Sequence, residues 1–537
     1  MDLMRLERAL ECHKCGRWVE NVGEEAVKVT CSYCILLVVG FPTESKSYQP
    51  TGHPPGWHFM SEYVDVDGNV FHRGKEQPKL KGTLKPTKVK PAKKIKRRSK
   101  QAILVAREKE KKAELKKAIK TPATDDHKTR AAVQEILNDL EKRREEGIKE
   151  ISKKFDKYEG EVVVTKEKIE EASKKVDQKT KDDIQFAHER IKRFAEHQLK
   201  HLNNNFEIEL SKGLFAGQRL IPIDTTGCYI PGGRYAHISS AIMAITPAKV
   251  AGVRTVITAS PPKDKNGANP GIIYAANLCG ADVILNLGGI AAIGSLAYGC
   301  FGNPAVDFLV GAGNQYVAEA KRILFGKVGI DLFAGPTEIA IIADKSADKE
   351  IVATDIVGQA EHGYNSPGWV FTTDKSVADY VIKRVPELIQ ELPEGPKNSA
   401  EPAWKDYGEV ILCDTNEEMA TVSDKYASEH LEVHAENLDW WLKRLRNYGS
   451  LFLGEETTVA YGDKCSGPNH ILPTKGAGRY TGGLYVGKFI KCLTFQRMSK
   501  ESNKIVGATA ARLARAEGME AHARTGDIRL KKYGHSK

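Results

Sequence analysis

After Phe206 the chain repeats one pattern: short apolar runs broken by Gly and Pro, separated by stretches long enough to be helices. RLIPIDTTGCYIPGG, AIMAITPAKVAGVRTVITAS, ADVILNLGG and LFAGPTEIAIIAD carry it. Apolar strands separated by helical stretches imply parallel sheets covered by helices, so the pattern predicts an α/β class. Ahead of it, from Lys128 to about Leu202, heavily charged sequence has helical periodicity. No internal repeat is visible.

The first 125 residues read differently. Cys12-x2-Cys15 and Cys31-x2-Cys34, 15 residues apart, have the spacing of a four-cysteine zinc ribbon, in which four thiolates close a structural site with no open position. The alternative is two pairs of ordinary thiols in a short α/β piece. Residues 46–78 are rich in Pro, Gly and aromatics, which suggests small strands and turns extending the ribbon. Residues 79–100 hold eleven Lys or Arg and no acid, and the formal charge of the whole chain is +11, so everything else sums to zero. That run reads as a solvated linker or an arm for weak polyanion binding. AILVAREKEKKAELKKAIK then reads as a charged helix ended by Thr121-Pro122. The amino terminus lacks the apolar core of a secretory signal, and CILLVVGF falls far short of the roughly 20 residues of a membrane span. With Cys228, Cys279, Cys300, Cys413, Cys465 and Cys492 scattered like reduced thiols, a cytoplasmic protein is expected, with no membrane partner.

Four short segments carry groups able to do chemistry. In IVATDIVGQAEHG, a helix that should stop at Gly363, Gln359 and His362 are spaced i, i+3, so an amide oxygen and an imidazole can converge on one ion; for so common a spacing taken alone, a helix-surface or capping role is the default. In SEHLEV, Glu429 adjoins His430, with Glu432 and His434 following, a pairing suited to acid–base work near neutral pH; a half-buried strand gives the same alternation. Asp463 and His470 lie in the Gly- and Pro-rich YGDKCSGPNHILPT, and Glu517 and His522 in EGMEAH near the carboxyl end. Together they offer an oxygen and nitrogen set suited to Zn2+ or a similar ion.

These segments, with GCYIPGG, PAKVAGV, GAGNQYVAEAKR and GKVGIDLFAGPTE, resemble histidinol dehydrogenases in order and separation over about residues 125–537. The resemblance implies two incomplete Rossmann-like parallel-sheet domains plus a small helical tail, preceded here by the ribbon and linker. It implies a catalytic domain over 125–226 and 339–484, an NAD-binding domain over 227–338, and a tail over 485–537 that crosses to a second copy; 1–45 is the ribbon and 46–124 the linker region. By resemblance Gln359, His362, Asp463 and His522 bind zinc, Glu429 and His430 are the acid–base pair, His470 and Glu517 contact substrate, and Tyr229 and Asn314 contact NAD. The reaction implied is oxidation of L-histidinol through the aldehyde to L-histidine with two NAD, in a homodimer with shared sites. GAGNQY does not satisfy G-x-G-x-x-G, which argues against an ordinary Rossmann phosphate site.

The chain departs from that pattern at informative places. Thr337 replaces a Ser at a substrate position, Ala291 a Gln in the NAD region and Val459 a Glu, while Arg234-Tyr235-Ala236-His237 and Ser239 follow the Gly pair. An arginine and a histidine there suit an anionic substrate. GGRYAH also resembles the branch of the family that oxidises 2,3-dihydroxypropane-1-sulfonate, and Arg234 serves equally as a phosphate contact to NAD or in an ion pair. A reading of another class, a nucleic-acid-binding protein using ribbon and basic arm, predicts salt-sensitive binding. The full ligand set argues for a live enzyme.

Overall fold

The structure, a computed structural model, describes residues 127–535 except 203, 204, 234 and 334, together with residues 114–116, residue 118 and short strands between 10 and 72. Two compact units divide the chain at residues 97 and 98. In the first, strands Lys28–Cys31, Leu36–Val39, Glu62–Val64 and Val70–His72 form an antiparallel sheet in that order. The small strands expected in the Pro- and Gly-rich segment are therefore present. Cys12, Cys15 and Cys34, the side chain of Cys31 and the basic run 79–100 lie outside the described residues.

The second unit opens with a correction. Where the sequence predicts a charged helix, Glu114–Lys116 is a strand (β1), paired antiparallel with Glu409–Leu412. Helix propensity among ordinary residues differs by at most about 0.7 kcal/mol each. Against it stand sheet hydrogen bonds and the Lys116 ammonium, which donates to the carbonyls of Trp404 and Gly408 at 2.7 and 2.5 Å and lies over the Trp404 ring. Hydrogen bonds from a charged donor contribute about 1.5–3 kcal/mol each, so the distant partner wins.

Helices α1 (His127–Phe155), α2 (Lys166–Lys175) and α3 (Gln178–Leu202) follow, then an antiparallel pair β2 (Phe206–Ser211) and β3 (Leu214–Pro222). Next come β4 (Thr225–Tyr229), α4 (Ile238–Ala251), β5 (Thr255–Ser260), α5 (Pro270–Leu278), β6 (Val283–Asn286), α6 (Gly289–Tyr298), β7 (Phe308–Val310), α7 (Gln315–Leu324) and β8 (Gly329–Ile330). Their strands make one wholly parallel sheet, ordered β6-β5-β4-β7-β8. Val133, Leu137 and Leu140 of α1, spaced on one helical face, pack with Ala291, Ala292 and Leu296 of α6. On the other side Ile184, Ala187 and Ile191 of α3 pack with α4.

A second sheet is built from β9 (Ile339–Ala343), α8 (Lys349–Ala360), β10 (Gly368–Thr372), α9 (Lys375–Glu391), α10 (Glu394–Tyr407), β11 (Glu409–Leu412), α11 (Asn416–Tyr426), β12 (His430–His434), α12 (Leu438–Arg444), β13 (Ser450–Leu453) and α13 (Val459–Lys464). The order is β13-β12-β9-β10-β11-β1, parallel except for β1. The central strand reads IAIIA because both faces are covered: Ile339, Ile341 and Ala343 pack with Val352 and Ile356 of α8, while Ala340 and Ile342 pack with Leu431 and Trp441. Each such Ile contributes about 1.5–3 kcal/mol by burial. The α/β class and the two parallel sheets are as expected from the sequence.

The tail holds more than helices. β14 (Ile490–Met498) pairs with β3 along its length before α14 (Lys500–Ala516) and α15 (Glu520–Lys532) fold back on each other. Along this arm and β2, Ile208, Leu210, Leu493, Ile505, Leu513 and Ile528 are exposed.

Candidate active site

The alternation in SEHLEV does describe a strand, but one buried on both faces. Leu431 and Val433 enter the apolar cluster around Trp441, while His430, Glu432 and His434 take the other face; all five are buried. Ahead of β12, the Glu429 carboxylate accepts from the Thr337 hydroxyl at 2.6 Å and the Glu338 amide at 2.9 Å. Thr337 in turn accepts from the Gln359 amide at 2.5 Å, so the last turn of α8, the segment before β9 and the segment before β12 are tied into one polar line. Burial pushes the Glu429 carboxyl up to about 7 against the pull of His430 and Thr337. Glu338, which no sequence motif singles out, is pushed up to about 8, again chiefly by burial.

His430 sits at the centre. Its Nδ1 lies 2.9 Å from the Glu338 carbonyl, which makes Nδ1 the protonated nitrogen, and its Nε2 lies 3.5 Å from Asp463 Oδ1 with no hydrogen-bond partner. Burial opposes charge on this ring, but Glu429, Asp463 and the Glu338 carbonyl outweigh it and raise its pKa to about 9. Asp463 feels the converse: burial works against ionisation, yet the His430 ring beside it and the charge of His470 hold its carboxyl well below the usual range. His470 Nδ1 lies 2.8 Å from the Asp463 carbonyl and its Nε2 3.0 Å from Ser240 Oγ. The serine expected from the sequence is Ser239, which lines the cleft; its neighbour makes the bond. Which of two adjacent helical residues turns to a given partner is a question of helix phase that sequence alone does not settle.

Gln359, His362, Asp463, Ser239 and His237 line one cleft of about 710 Å³. A smaller cavity of about 260 Å³, lined by His430 and His470, shares Asp463 as a wall. Lys464, which carries no signal in the sequence, also lines the larger cleft. Burial, with His362, His470 and Lys464 nearby, lowers the His237 pKa to about 4. An amide, an imidazole and a carboxylate on the walls of one cleft fit a divalent cation, and the Gln359 amide nitrogen is engaged with Thr337, leaving its oxygen as the ligand atom.

His522 is exposed on α15, and Glu517 is exposed at the end of α14; a single chain does not bring either to the cleft. Arg234 lies outside the described residues. Tyr229 lies in the first sheet and Asn314 follows its strand β7, at the start of α7. Tyr229 ends β4, whose neighbours β5 and β7 lie on opposite sides, so its carboxyl end is the point where strand order reverses and cofactors dock in open parallel sheets. The GAG turn after β7 is built without a phosphate cradle. At Gly311, φ is +118° and a Cβ would collide with the Tyr229 carbonyl oxygen, so only glycine fits. The Gly311 N–H donates to Asp331 at 2.8 Å and its carbonyl accepts from Lys321 at 2.8 Å; Lys321 and Asp331 are themselves a buried ion pair. Asn314 caps α7, its side-chain oxygen accepting from the amides of Tyr316 and Val317, which occupies the donors a phosphate would use. Ala291 is buried in the α1–α6 contact.

A family model described as histidinol dehydrogenase matches residues 119–530. A histidinol dehydrogenase homolog from Pelagibacter ubique is 69% identical over 422 residues, 79% of this chain and 99% of its own. A sulfopropanediol 3-dehydrogenase from Ruegeria pomeroyi is 53% identical over 78% of this chain and 96% of its own. The crystal structure of histidinol dehydrogenase from Elizabethkingia anophelis superposes with a TM-score of 0.73 at 33% identity, covering 78% of this chain and 95% of that one.

Proposed function

The chain belongs to the histidinol dehydrogenase family, and from that premise we propose that it oxidises a primary alcohol through the aldehyde to the carboxylate, two NAD accepting the four electrons. The observation that carries the reading is the buried His430 Nε2, free of hydrogen bonds and facing Asp463 across the floor of the site. With Nδ1–H held on the Glu338 carbonyl, Nε2 is the nitrogen that takes the alcohol proton once the ring, its pKa raised to about 9, has given up its charge, so the first step should speed up as pH rises toward 9. Glu429, a carboxyl balanced near neutrality and steadied by Thr337, takes a proton from the water that adds to the aldehyde. Gln359, His362 and Asp463, with His522 of a second copy, are the residues that would hold Zn2+. Bound there, the ion supplies Lewis-acid polarisation and orients the substrate oxygen. Tyr229 and Asn314 flank the crevice assigned to NAD. No described helix is long and apolar enough to cross a membrane, and a cytoplasmic setting is proposed.

L-Histidinol is the first substrate reading, and the family match supports it. A second is favoured by a specific observation: Lys464 lines the cleft, His237 beside it offers an uncharged ring for hydrogen bonding, and the sulfopropanediol relative is 53% identical. A small anionic polyol such as 2,3-dihydroxypropane-1-sulfonate could pair with Lys464 there, and Arg234 is near His237 in sequence. Purified full-length protein given NAD and each alcohol separately should form NADH with one of them; zinc-replete protein that reduces NAD with neither would overturn the dehydrogenase reading.

Glu429→Gln should lower overall turnover about 10²–10³-fold, within the usual range for a lost acid–base group. NADH formed per alcohol consumed should drop from two toward one as aldehyde accumulates. Because the folded pKa is raised to about 7, the base form grows as pH rises through 7; the second step should speed up over that interval, and in the Gln variant that rise should vanish. Unchanged stoichiometry would remove Glu429 from the second step.

The exposed apolar side chains of the arm and of β2 are suited to cover by a second copy. If the arms cross, His522→Ala and His430→Ala are each inactive, yet mixed dimers carry one intact site of two. Unfolding and refolding the two together should restore about one quarter of normal activity, since about half of randomly paired twofold dimers are mixed. No recovery would place His522 outside the neighbour's site.

A further inference from the structure

We propose that Asp355, Glu432 and His434 form a second divalent-cation site, distinct from the Gln359, His362 and Asp463 set, that fastens β12 to α8. The three present one ligand atom each within 4.8 Å of the others. His434 Nε2 stands 3.4 Å from Glu432 Oε2 and 3.9 Å from Asp355 Oδ2. Donors bound at about 2.1 Å in a tetrahedral shell stand about 3.4 Å apart, whereas a hydrogen bond between them would be closer to 2.8 Å. The spacing is that of groups arranged around an ion.

The second oxygen of each carboxylate is already engaged in a way that aims the first inward. Glu432 Oε1 accepts from the Val459 amide at 2.8 Å, and Asp355 Oδ1 accepts from the Thr458 hydroxyl at 3.1 Å. Asp355 Oδ2, Glu432 Oε2 and both ring nitrogens of His434 are left without a partner, though Glu432 and His434 are 0% and 2% exposed. Buried polar groups are nearly always paired, so three orphan atoms, one from each residue, gathered at one point need an explanation. Among the described residues no Lys or Arg forms an ion pair with either carboxylate, and burial together with Glu432 pushes the Asp355 carboxyl up to about 7. Two carboxylates and one imidazole are a set for Zn2+ or Mn2+ rather than for a soft, thiolate-seeking ion. Asp355 lines the cleft one helical turn before Gln359, and Glu432 follows His430 by two residues on the same strand face. An ion here would hold the acid–base strand against the helix that carries Gln359, as a structural fastener that does not touch the alcohol.

The test is the zinc content of full-length protein after Zn2+ loading and desalting, measured by elemental mass spectrometry. Glu432→Gln, nearly isosteric, and His434→Ala should each lose one ion per chain relative to the unsubstituted protein. His362→Ala should lose a different one, and Glu432→Gln combined with His362→Ala should lose two. Loss of one ion by Glu432→Gln but none by His362→Ala would support this site while removing the zinc reading of the first. Glu432→Gln and His434→Ala proteins that keep the full count would overturn the proposal. Should both variants fail to fold, crystals of the unsubstituted protein soaked in Zn2+ decide. Anomalous density at the zinc edge between His434, Glu432 and Asp355 supports the site, and none there when the Asp463 site is filled overturns it.

Discussion

His430→Asn should lower turnover by about three orders of magnitude, in the upper half of the range for losing a positioned general base. Asparagine is chosen because its amide nitrogen can stand where Nδ1 stands and keep the bond to the Glu338 carbonyl, 2.9 Å away in the unsubstituted protein. What it deletes is Nε2, the atom facing Asp463. The strand itself should survive, since Leu431 and Val433 still fill the Trp441 cluster. Steady-state rates with saturating NAD and alcohol check the size of the effect, and metal content and thermal unfolding check that the loss is chemical. A variant within tenfold of normal, with metal retained, would show that the proton leaves by another route.

The second large effect is structural and lies in the first sheet. Lys321→Met should destabilise the protein by about 3–5 kcal/mol, because it leaves Asp331 charged, fully buried and without its cation. The Asp331 carboxylate also holds the amides of Gly311 and Leu332. A Lys321→Met, Asp331→Leu double variant should therefore recover only part of the loss. The Gly311 turn leads directly to Asn314, so the KM for NAD should rise more than the KM for alcohol. Denaturant unfolding and separate KM measurements test both statements; a stability change under about 1 kcal/mol would mean water enters and solvates Asp331.

The same residues show what a sequence can and cannot disclose. IAIIA announces a strand covered on both sides because period and composition are local properties, and both parallel sheets are legible in that way. SEHLEV announces its period, but not that α8 closes over the polar side, so Glu432 and His434 have no role until Asp355 stands beside them. Glu338 and Lys464 give no signal: each matters through neighbours about ninety or more residues away or across the cleft. The stretch around Glu114 misleads for the same reason, since its partner strand lies almost 300 residues on. His522 is the opposite case. Its assignment comes from resemblance alone, and a single copy of the chain leaves it in solvent.

That misleading strand also bears on how the enzyme body can be isolated. β11 would be the open margin of its sheet were β1 not laid along it, and an open margin is where copies of a protein stick together strand to strand. The family match begins at residue 119, just past Lys116. A fragment cut to the family boundary would thus lose the strand that shields the sheet and uncover the Trp404 and Gly408 carbonyls that Lys116 satisfies. Aggregation of such a fragment would report on the cut, not on any need of the chemistry for the amino-terminal unit.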